Sequence, residues 1–122
     1  MVKETEVVIS SALAMAAVEG MQEKKAVDIR LMDLREIKNS IADYFVICSG
    51  NSDTQVEAIK DSVDEFIFKK FGENPWKVEG TQNKEWILMD YVNVVVHIFQ
   101  KKKREFYGLE ELWGDAIIKE FE

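Results

Sequence analysis

His97 and Cys48 are the side chains of this sequence best suited to acid–base or nucleophilic chemistry, and each residue type occurs once. A histidine base needs an acidic residue to orient its ring and a nucleophile to activate. Asp90 is the candidate orienter. Cys48 lies in residues 44–48, a continuous apolar run typical of a strand covered on both faces, where burial disfavours the reactive thiolate. An Asp90–His97 dyad therefore has no evident nucleophile.

Apolar patterns predict the elements that position these side chains. A helix over residues 4–21 precedes a half-buried strand over residues 27–34 and the covered strand. Ser52 and Gln55 form a capping box that starts a second helix. Three strands and terminal helical turns follow, over residues 76–79, 85–91 and 94–99 and over residues 104–107 and 109–121. The order predicts an α/β fold, a mixed sheet of about five strands flanked by helices, with a βαβ crossover through the second helix.

The last two strands are predicted to form a hairpin with Val92-Asn93 as its loop, which pairs Leu88 with His97. Val tolerates positive φ poorly, so a bulge or a longer turn is the alternative. One face of this hairpin is apolar and is the predicted core: Ile87, Met89, Tyr91, Val94, Val96 and Ile98. The other face is mixed: Trp86, Leu88, Asp90, Val95, His97 and Phe99. A one-residue slip would exchange the two faces.

Three interpretations of the mixed face are open. In the first, His97 is a structural histidine that Asp90 orients beneath the terminal helix. In the second, Trp86 is an aromatic anchor flanked by polar groups, which is the usual composition of an interface hot spot. The third is the catalytic dyad.

Length and composition predict one domain over residues 1–122, since 47% of the residues are hydrophobic. One cysteine and one histidine exclude an internal disulfide and leave too few ligands for a structural zinc site. No metal or cofactor is predicted. The charged N-terminus does not resemble a signal or transit peptide, and no apolar run approaches the roughly 18 residues of a membrane span. We therefore expect a cytoplasmic protein without membrane contact.

The net charge of −7 opposes extensive direct contact with nucleic acid, because a broadly acidic surface repels phosphate backbones. The same charge favours a basic protein partner. A local exception is the cationic run from Lys101 to Arg104. This run is either a solvated loop that ends a strand or a functional patch.

Several spaced blocks of the sequence resemble the ribosomal silencing factor family, also called the Iojap family. Residues 41–52, IADYFVICSGNS, are very similar to that family's signature. Further blocks agree in order: Glu79-Gly80, Trp86, Asp90-Tyr91, residues 94–99, Arg104, Phe106-Tyr107, Leu109-Glu110 and Leu112-Trp113-Gly114-Asp115. The similarity runs from about residue 27 to residue 115. At Val92-Asn93 the family more often has Gly-Asp, which leaves the turn geometry open.

This resemblance implies a translational silencer that acts by steric obstruction. Members of the family bind large-subunit ribosomal protein fourteen, block joining of the small subunit, repress translation under nutrient limitation and form homodimers. The positions that match the family, taken together with the mixed face of the hairpin, imply a set of partner-binding residues. These are Trp86, Leu88, Asp90, His97, Arg104 and Tyr107. Trp113 matches the terminal helix and has a structural role in this interpretation.

The alternative is a degenerate or active nucleotidyltransferase-like enzyme, because the family is similar in fold to nucleotidyltransferases. Gly50-Asn51-Ser52 resembles their phosphate-holding turn at a helix N-terminus. Those enzymes also need paired carboxylates for divalent metal ions, and here Asp90-Tyr91-Val92 lacks the second carboxylate two residues after Asp90. We therefore predict that the chain is not an enzyme. A general dimeric scaffold with another partner is the competing non-enzyme hypothesis.

Overall fold

The computed structural model describes residues 2–122, with side chains described for residues 10–105 and 107–122. The helices are α1 (Val2–Glu23), α2 (Asp53–Phe71), α3 (Arg104–Tyr107) and α4 (Leu109–Leu112). The strands are β1 (Val27–Asp33), β2 (Tyr44–Gly50), β3 (Lys77–Glu79), β4 (Trp86–Asp90), β5 (Val94–Gln100) and β6 (Ile117–Phe121). A 3-10 turn at Lys101–Lys103 follows β5. The predicted α/β fold is confirmed, with a mixed sheet of six strands in the described chain rather than about five.

The strands lie in the order β3-β4-β5-β2-β1-β6. Strands β2 and β5 are parallel, and every other neighbouring pair is antiparallel. The chain leaves β2 through α2 and returns beside β2 only at β5. The predicted crossover is therefore present, but β5 is its second strand and the short β3 lies at the far edge of the sheet.

The predicted terminal helix over residues 109–121 is wrong in its second half. Only Leu109–Leu112 is helical, and β6 pairs antiparallel with β1, with Asp33 opposite Ile117 and Ile29 opposite Phe121. Strand β1 presents backbone N–H and C=O groups along its outer edge, and β6 satisfies them. This pairing joins residues more than 80 positions apart and has no local signature.

Apolar side chains fill both faces of the sheet. On the first face, α1 and α2 cover the predicted core side of the hairpin, and all six predicted core residues are buried there. The second face holds a smaller group, here called the second core: Met32, Leu34, Ala42, Phe45, Ile47, Val95, Phe99 and Leu109. Strand β2 contributes to both faces and is buried along its whole length, as its continuous apolar run predicted.

Helices α1 and α2 pack closely because of a glycine. A Cβ atom on Gly20 would lie 2.8 Å from the Cα of Val63, so no larger residue fits without a shift. The hydroxyl of Ser62 donates a hydrogen bond of 2.8 Å to the carbonyl of Gly20 at the same contact. In the described chain, no helix is both long and apolar enough to cross a bilayer.

Candidate functional site

The hairpin of β4 and β5 has the predicted register. Leu88 lies opposite His97, and Asp90 lies opposite Val95. Trp86, Leu88 and Asp90 therefore project from the second face, above the second core, whereas Ile87 and Met89 point toward the helices. The division into a core face and a mixed face is confirmed.

Val92 itself makes the tight turn of the hairpin. Its φ is 77°, in the left-handed region that β-branched residues avoid. The N–H of Asn93 donates to the carbonyl of Tyr91 at 3.0 Å, which closes a γ-turn around Val92. The N–H of Val92 donates to Oδ1 of Asp90 at 2.8 Å. The loop keeps two residues, and Val92 adopts the unfavourable backbone conformation instead of a bulge.

Trp86 is half-buried in an aromatic group on the second face. Its ring centroid lies 5.0 Å from that of Phe99 and 4.9 Å from that of Tyr107. The indole N–H donates to Nδ1 of His97 at 3.0 Å. A Cβ atom on Gly80 would lie 2.0 Å from the carbonyl oxygen of Trp86, so only glycine lets the loop after β3 pass this close.

His97 is buried, with 2% of its surface exposed. Burial lowers the pKa of its imidazole from 6.5 to about 3, so the ring is neutral near pH 7. Because Nδ1 accepts from Trp86, the proton is on Nε2, which has no hydrogen-bond partner among the described residues. The expected contact with Asp90 is wrong, since that carboxylate binds the N–H of Val92 and Trp86 orients His97 instead. So weak and inaccessible a base does not support the catalytic interpretation.

Arg104 is also buried, at 9% exposure, and holds the C-terminal helices to the sheet. Its Nε donates to Glu110 at 3.0 Å, and its Nη1 donates to the carbonyl of Asp28 at 2.7 Å and to the hydroxyl of Ser49 at 2.9 Å. Nη1 of Arg30 lies 2.5 Å from the same Glu110 carboxylate. Burial raises the pKa of Glu110, but the hydrogen bonds and charges of the two guanidinium groups outweigh it and hold the pKa below its usual value.

The six predicted contact residues therefore divide into two groups. Trp86, Leu88 and Asp90 are half-buried, and Tyr107 is exposed, with its hydroxyl donating to Glu85 at 3.1 Å. His97 and Arg104 are interior residues that position neighbouring side chains. Their expected place on the contact surface is corrected, because their polar atoms bind groups of the chain itself or are covered by aromatic rings.

An exposed apolar cleft of about 370 Å³ adjoins these residues and was missed from the sequence. Ile41, Trp76, Asp90, Val92 and Val95 line this feature, here called the apolar cleft. Trp76 is 73% exposed, Ile41 is 70% exposed and Val92 is 59% exposed. The only local signals are polar residues before Ile41 and the proline before Trp76.

The residues that could have served an enzyme are a helix cap at Ser52 and a buried thiol at Cys48. The hydroxyl of Ser52 accepts from the N–H of Gln55 at 3.1 Å, and the side chain of Gln55 accepts from the N–H of Asn51 at 2.7 Å, which confirms the capping box. Burial raises the pKa of Cys48, although the charge of Arg104 lowers it slightly. Among the described residues, no three His, Cys, Asp or Glu side chains are grouped to hold a metal ion.

Comparison with known proteins identifies one family. Residues 8–122 match the family model described as "Ribosomal silencing factor during starvation". The chain is 43% identical over 110 residues to ribosomal silencing factor RsfS of Bacillus subtilis. The matched region covers 87% of this chain and 88% of that protein. The chain is 34% identical over 107 residues to the chloroplastic protein Iojap of Zea mays, over 86% of this chain and 45% of that protein.

A solved structure has the same fold. The crystal structure of a Chromobacterium violaceum protein superposes with a TM-score of 0.79 at 31% sequence identity. The similarity covers 85% of each chain, so it includes most of the sheet and its helices.

Proposed function

The chain belongs to the ribosomal silencing factor family, and we propose that it binds the large ribosomal subunit through ribosomal protein fourteen and sterically blocks joining of the small subunit. Membership confirms the family prediction and the prediction of a regulatory role rather than an enzymatic one. It also gives the chain a ribosome-associated silencing role. The named partner, the obstruction of subunit joining and its use under nutrient limitation belong to the proposal.

The observation that carries the proposal is the exposure of the apolar cleft. Ile41, Trp76 and Val92 expose most of their surface at one end of the sheet, where burial against a partner would be favourable. Soluble chains rarely leave grouped large apolar side chains uncovered unless the site binds something. Trp is also among the residues enriched at interface hot spots. The cleft is therefore the proposed centre of the contact.

The predicted contact residues extend this centre along the hairpin. Asp90 lines the cleft, and Leu88 is the diagonal cross-strand neighbour of Val95 on the same face. Trp86 and Tyr107 continue the surface toward the C-terminal helices. In our proposal these four residues contact the partner together with the cleft, and His97 supports Trp86 from beneath.

Charge gives the proposal a kinetic consequence. The chain carries a net charge of −7, and ribosomal proteins are typically basic because they pack against RNA. Opposite charges accelerate diffusional encounter, and salt screens this effect. Association with isolated ribosomal protein fourteen should slow as salt rises, and a rate independent of salt would exclude electrostatic steering.

The test compares Trp76→Ala with Phe68→Ala. Both aromatic side chains are more than half exposed, but Phe68 lies on α2, away from the cleft. Trp86→Ala is less informative, because it would open a cavity in the aromatic group and remove the hydrogen bond to His97. We expect both variants to fold, as near-native thermal unfolding should show.

In co-sedimentation with separated subunits, Trp76→Ala should lose at least tenfold in affinity for the large subunit, and Phe68→Ala should bind normally. A pull-down with purified ribosomal protein fourteen should give the same pattern. Normal binding of Trp76→Ala would exclude the cleft. Binding to intact subunits without any binding to the isolated protein would identify a different partner.

We also propose a homodimer, which the family resemblance implies. Its support is the edge strand β6, whose outer backbone edge pairs with no other described strand and whose Ile117 and Ile118 are exposed. Sedimentation equilibrium should give the mass of a dimer for the unaltered chain and of a monomer for Ile117→Lys. A monomer in both cases would contradict the dimer.

A further inference from the structure

A second cleft, of about 410 Å³, lies where the parallel strands β2 and β5 end. Among the described residues that line it, one is a serine and the others are charged, and we call it the charged cleft: Asp28, Arg30, Ser49, Lys101, Lys102, Arg104, Glu105 and Glu110. Crevices at the carboxyl ends of parallel strands are common ligand sites in α/β sheets. The apolar cleft lies beside the beginning of β5, so the seven residues of β5 separate the two clefts by roughly 20 Å.

The local charge of this cleft opposes that of the chain. Of the described residues that line it, four are cationic and three are anionic, whereas the whole chain carries −7. Inside the cleft, Glu110 neutralises part of the charge of Arg104 and Arg30. At the rim, Lys101 and Lys102 are exposed, and neither forms a salt bridge with another described residue. The positive charge available to a ligand is therefore concentrated at the rim.

The rim lysines are held by the fold and do not belong to a flexible loop. They form a 3-10 turn that directly continues β5. Before this turn, the backbone N–H of Gln100 donates to the carbonyl of Glu85 at 2.8 Å, and its side chain donates to Asp53 at the start of α2. After the turn, the buried Arg104 donates to the carbonyl of Asp28 and to Ser49. Because the backbone of the turn is anchored on both sides, binding of an anion would have to order only the two lysine side chains.

We propose that the charged cleft binds one or two phosphates of an RNA backbone through the rim residues Lys101 and Lys102. This inference rests on the proposed function, because the surface of a ribosomal subunit is rich in RNA phosphate. A nucleotide would need an apolar or aromatic surface for its base, and none of the described residues that line the cleft is apolar or aromatic. A backbone phosphate needs only cations and hydrogen-bond donors.

Two separated attachment points would fix the orientation of the chain on the subunit. The apolar cleft contacts protein at one end of the sheet, and the charged cleft contacts RNA at the other end. A contact limited to one or two phosphates agrees with the predicted lack of extensive nucleic-acid binding, because the rest of the surface stays acidic.

The test compares Lys101→Ala/Lys102→Ala with the control Lys24→Ala/Lys69→Ala. Both pairs change the net charge from −7 to −9, and the control lysines are exposed and do not line the cleft. Affinity for purified large subunits is measured over a series of KCl concentrations. Each lost phosphate contact should reduce the slope of log affinity against log salt by roughly 0.7 to 0.9. We expect a reduction of about 1 to 2 for the cleft variant and no change for the control.

Binding to isolated ribosomal protein fourteen is measured in parallel and should be equal for the two variants. Equal salt slopes on subunits would overturn the phosphate contact while leaving the proposed function intact. A selective loss of binding to the isolated protein would assign the cleft to protein and would also overturn it. Inorganic pyrophosphate could instead raise the unfolding temperature of the control but not of the cleft variant, while the two variants keep equal salt slopes. That result would assign the cleft to a small ligand and not to RNA.

Binding by the unaltered chain distinguishes failure of the proposed function from failure of the phosphate contact. If the unaltered chain binds neither subunits nor isolated ribosomal protein fourteen, the silencing contact is wrong. Filter binding to purified large-subunit RNA then tests the cleft alone. Weaker binding by the cleft variant than by the control would support the phosphate contact, and equal binding would overturn it.

Discussion

The indole N–H of Trp86 donates a hydrogen bond of 3.0 Å to Nδ1 of His97. This bond fixes the neutral tautomer of a histidine that is almost wholly buried. It also connects a side chain of the proposed contact surface to the second core, since His97 packs edge-on against Phe45 at 4.6 Å. Protonation of Nδ1 would remove the acceptor, so the stability of this region depends on pH.

The free energy of unfolding should fall in mild acid because of His97. Its folded pKa is lowered to about 3 from 6.5, so below pH 6.5 the unfolded chain binds a proton that the folded chain does not. This stability is present above pH 6.5 and is lost progressively as the pH falls toward 3. Between pH 7 and pH 5 the loss should be about 2 kcal/mol, measured by urea unfolding.

The variant His97→Gln isolates this effect, because the chain has one histidine. Its stability should be lower than that of the unaltered chain at pH 7 but nearly constant down to pH 5. An equally steep loss in the variant would show that other groups cause the pH dependence.

Glu110→Gln should destabilise the fold, because the guanidinium of Arg104 would stay buried without its counter-charge. We expect a loss of about 2 to 3 kcal/mol, below the range for fully buried pairs because Glu110 is partly accessible. The pKa of Glu110 is lowered in the fold, so its contribution is present above pH 4.5 and fades as the pH falls through the folded value.

Unfolding of Glu110→Gln at pH 7 and at pH 3 checks both statements. The exposed neighbour Glu111 provides the control, and Glu111→Gln should lie within about 0.5 kcal/mol of the unaltered chain. A Glu110→Gln variant as stable as this control would mean that the Arg104 contacts to backbone and Ser49 suffice.

Val92→Gly should stabilise the chain and weaken ribosome binding. Glycine adopts a φ of 77° without strain, which should raise the free energy of unfolding by about 1 kcal/mol. The change also removes an exposed side chain from the apolar cleft. Chemical unfolding and co-sedimentation with large subunits measure the two effects.

Val92→Asn is the matching control, because asparagine also tolerates positive φ but places a polar group in the cleft. It should share the gain in stability and bind more weakly still. If both variants bind as well as the unaltered chain, Val92 is only a turn residue.

The hairpin could be predicted from sequence because its information is local. An apolar face on residues 87, 89 and 91 can pair with the apolar face on residues 94, 96 and 98 in one register, since a slip would expose the core side of one strand. The capping box is equally local, since its hydrogen bonds join Ser52 and Gln55 within one turn of chain. The family blocks also depend only on residue types and their order.

Long-range packing decided the rest. The five residues of β6 are strand because β1 offers them a free edge, which no local pattern reveals. Asp90 accepts from the N–H of Val92 at its own turn, and the indole of Trp86 is the hydrogen-bond partner of His97. Ile41 and Trp76 are far apart in sequence and form one cleft only after β2, β4 and β5 assemble. Residue order alone thus determined the family, the hairpin and its two faces, whereas burial and the choice among competing hydrogen-bond partners depended on tertiary contacts.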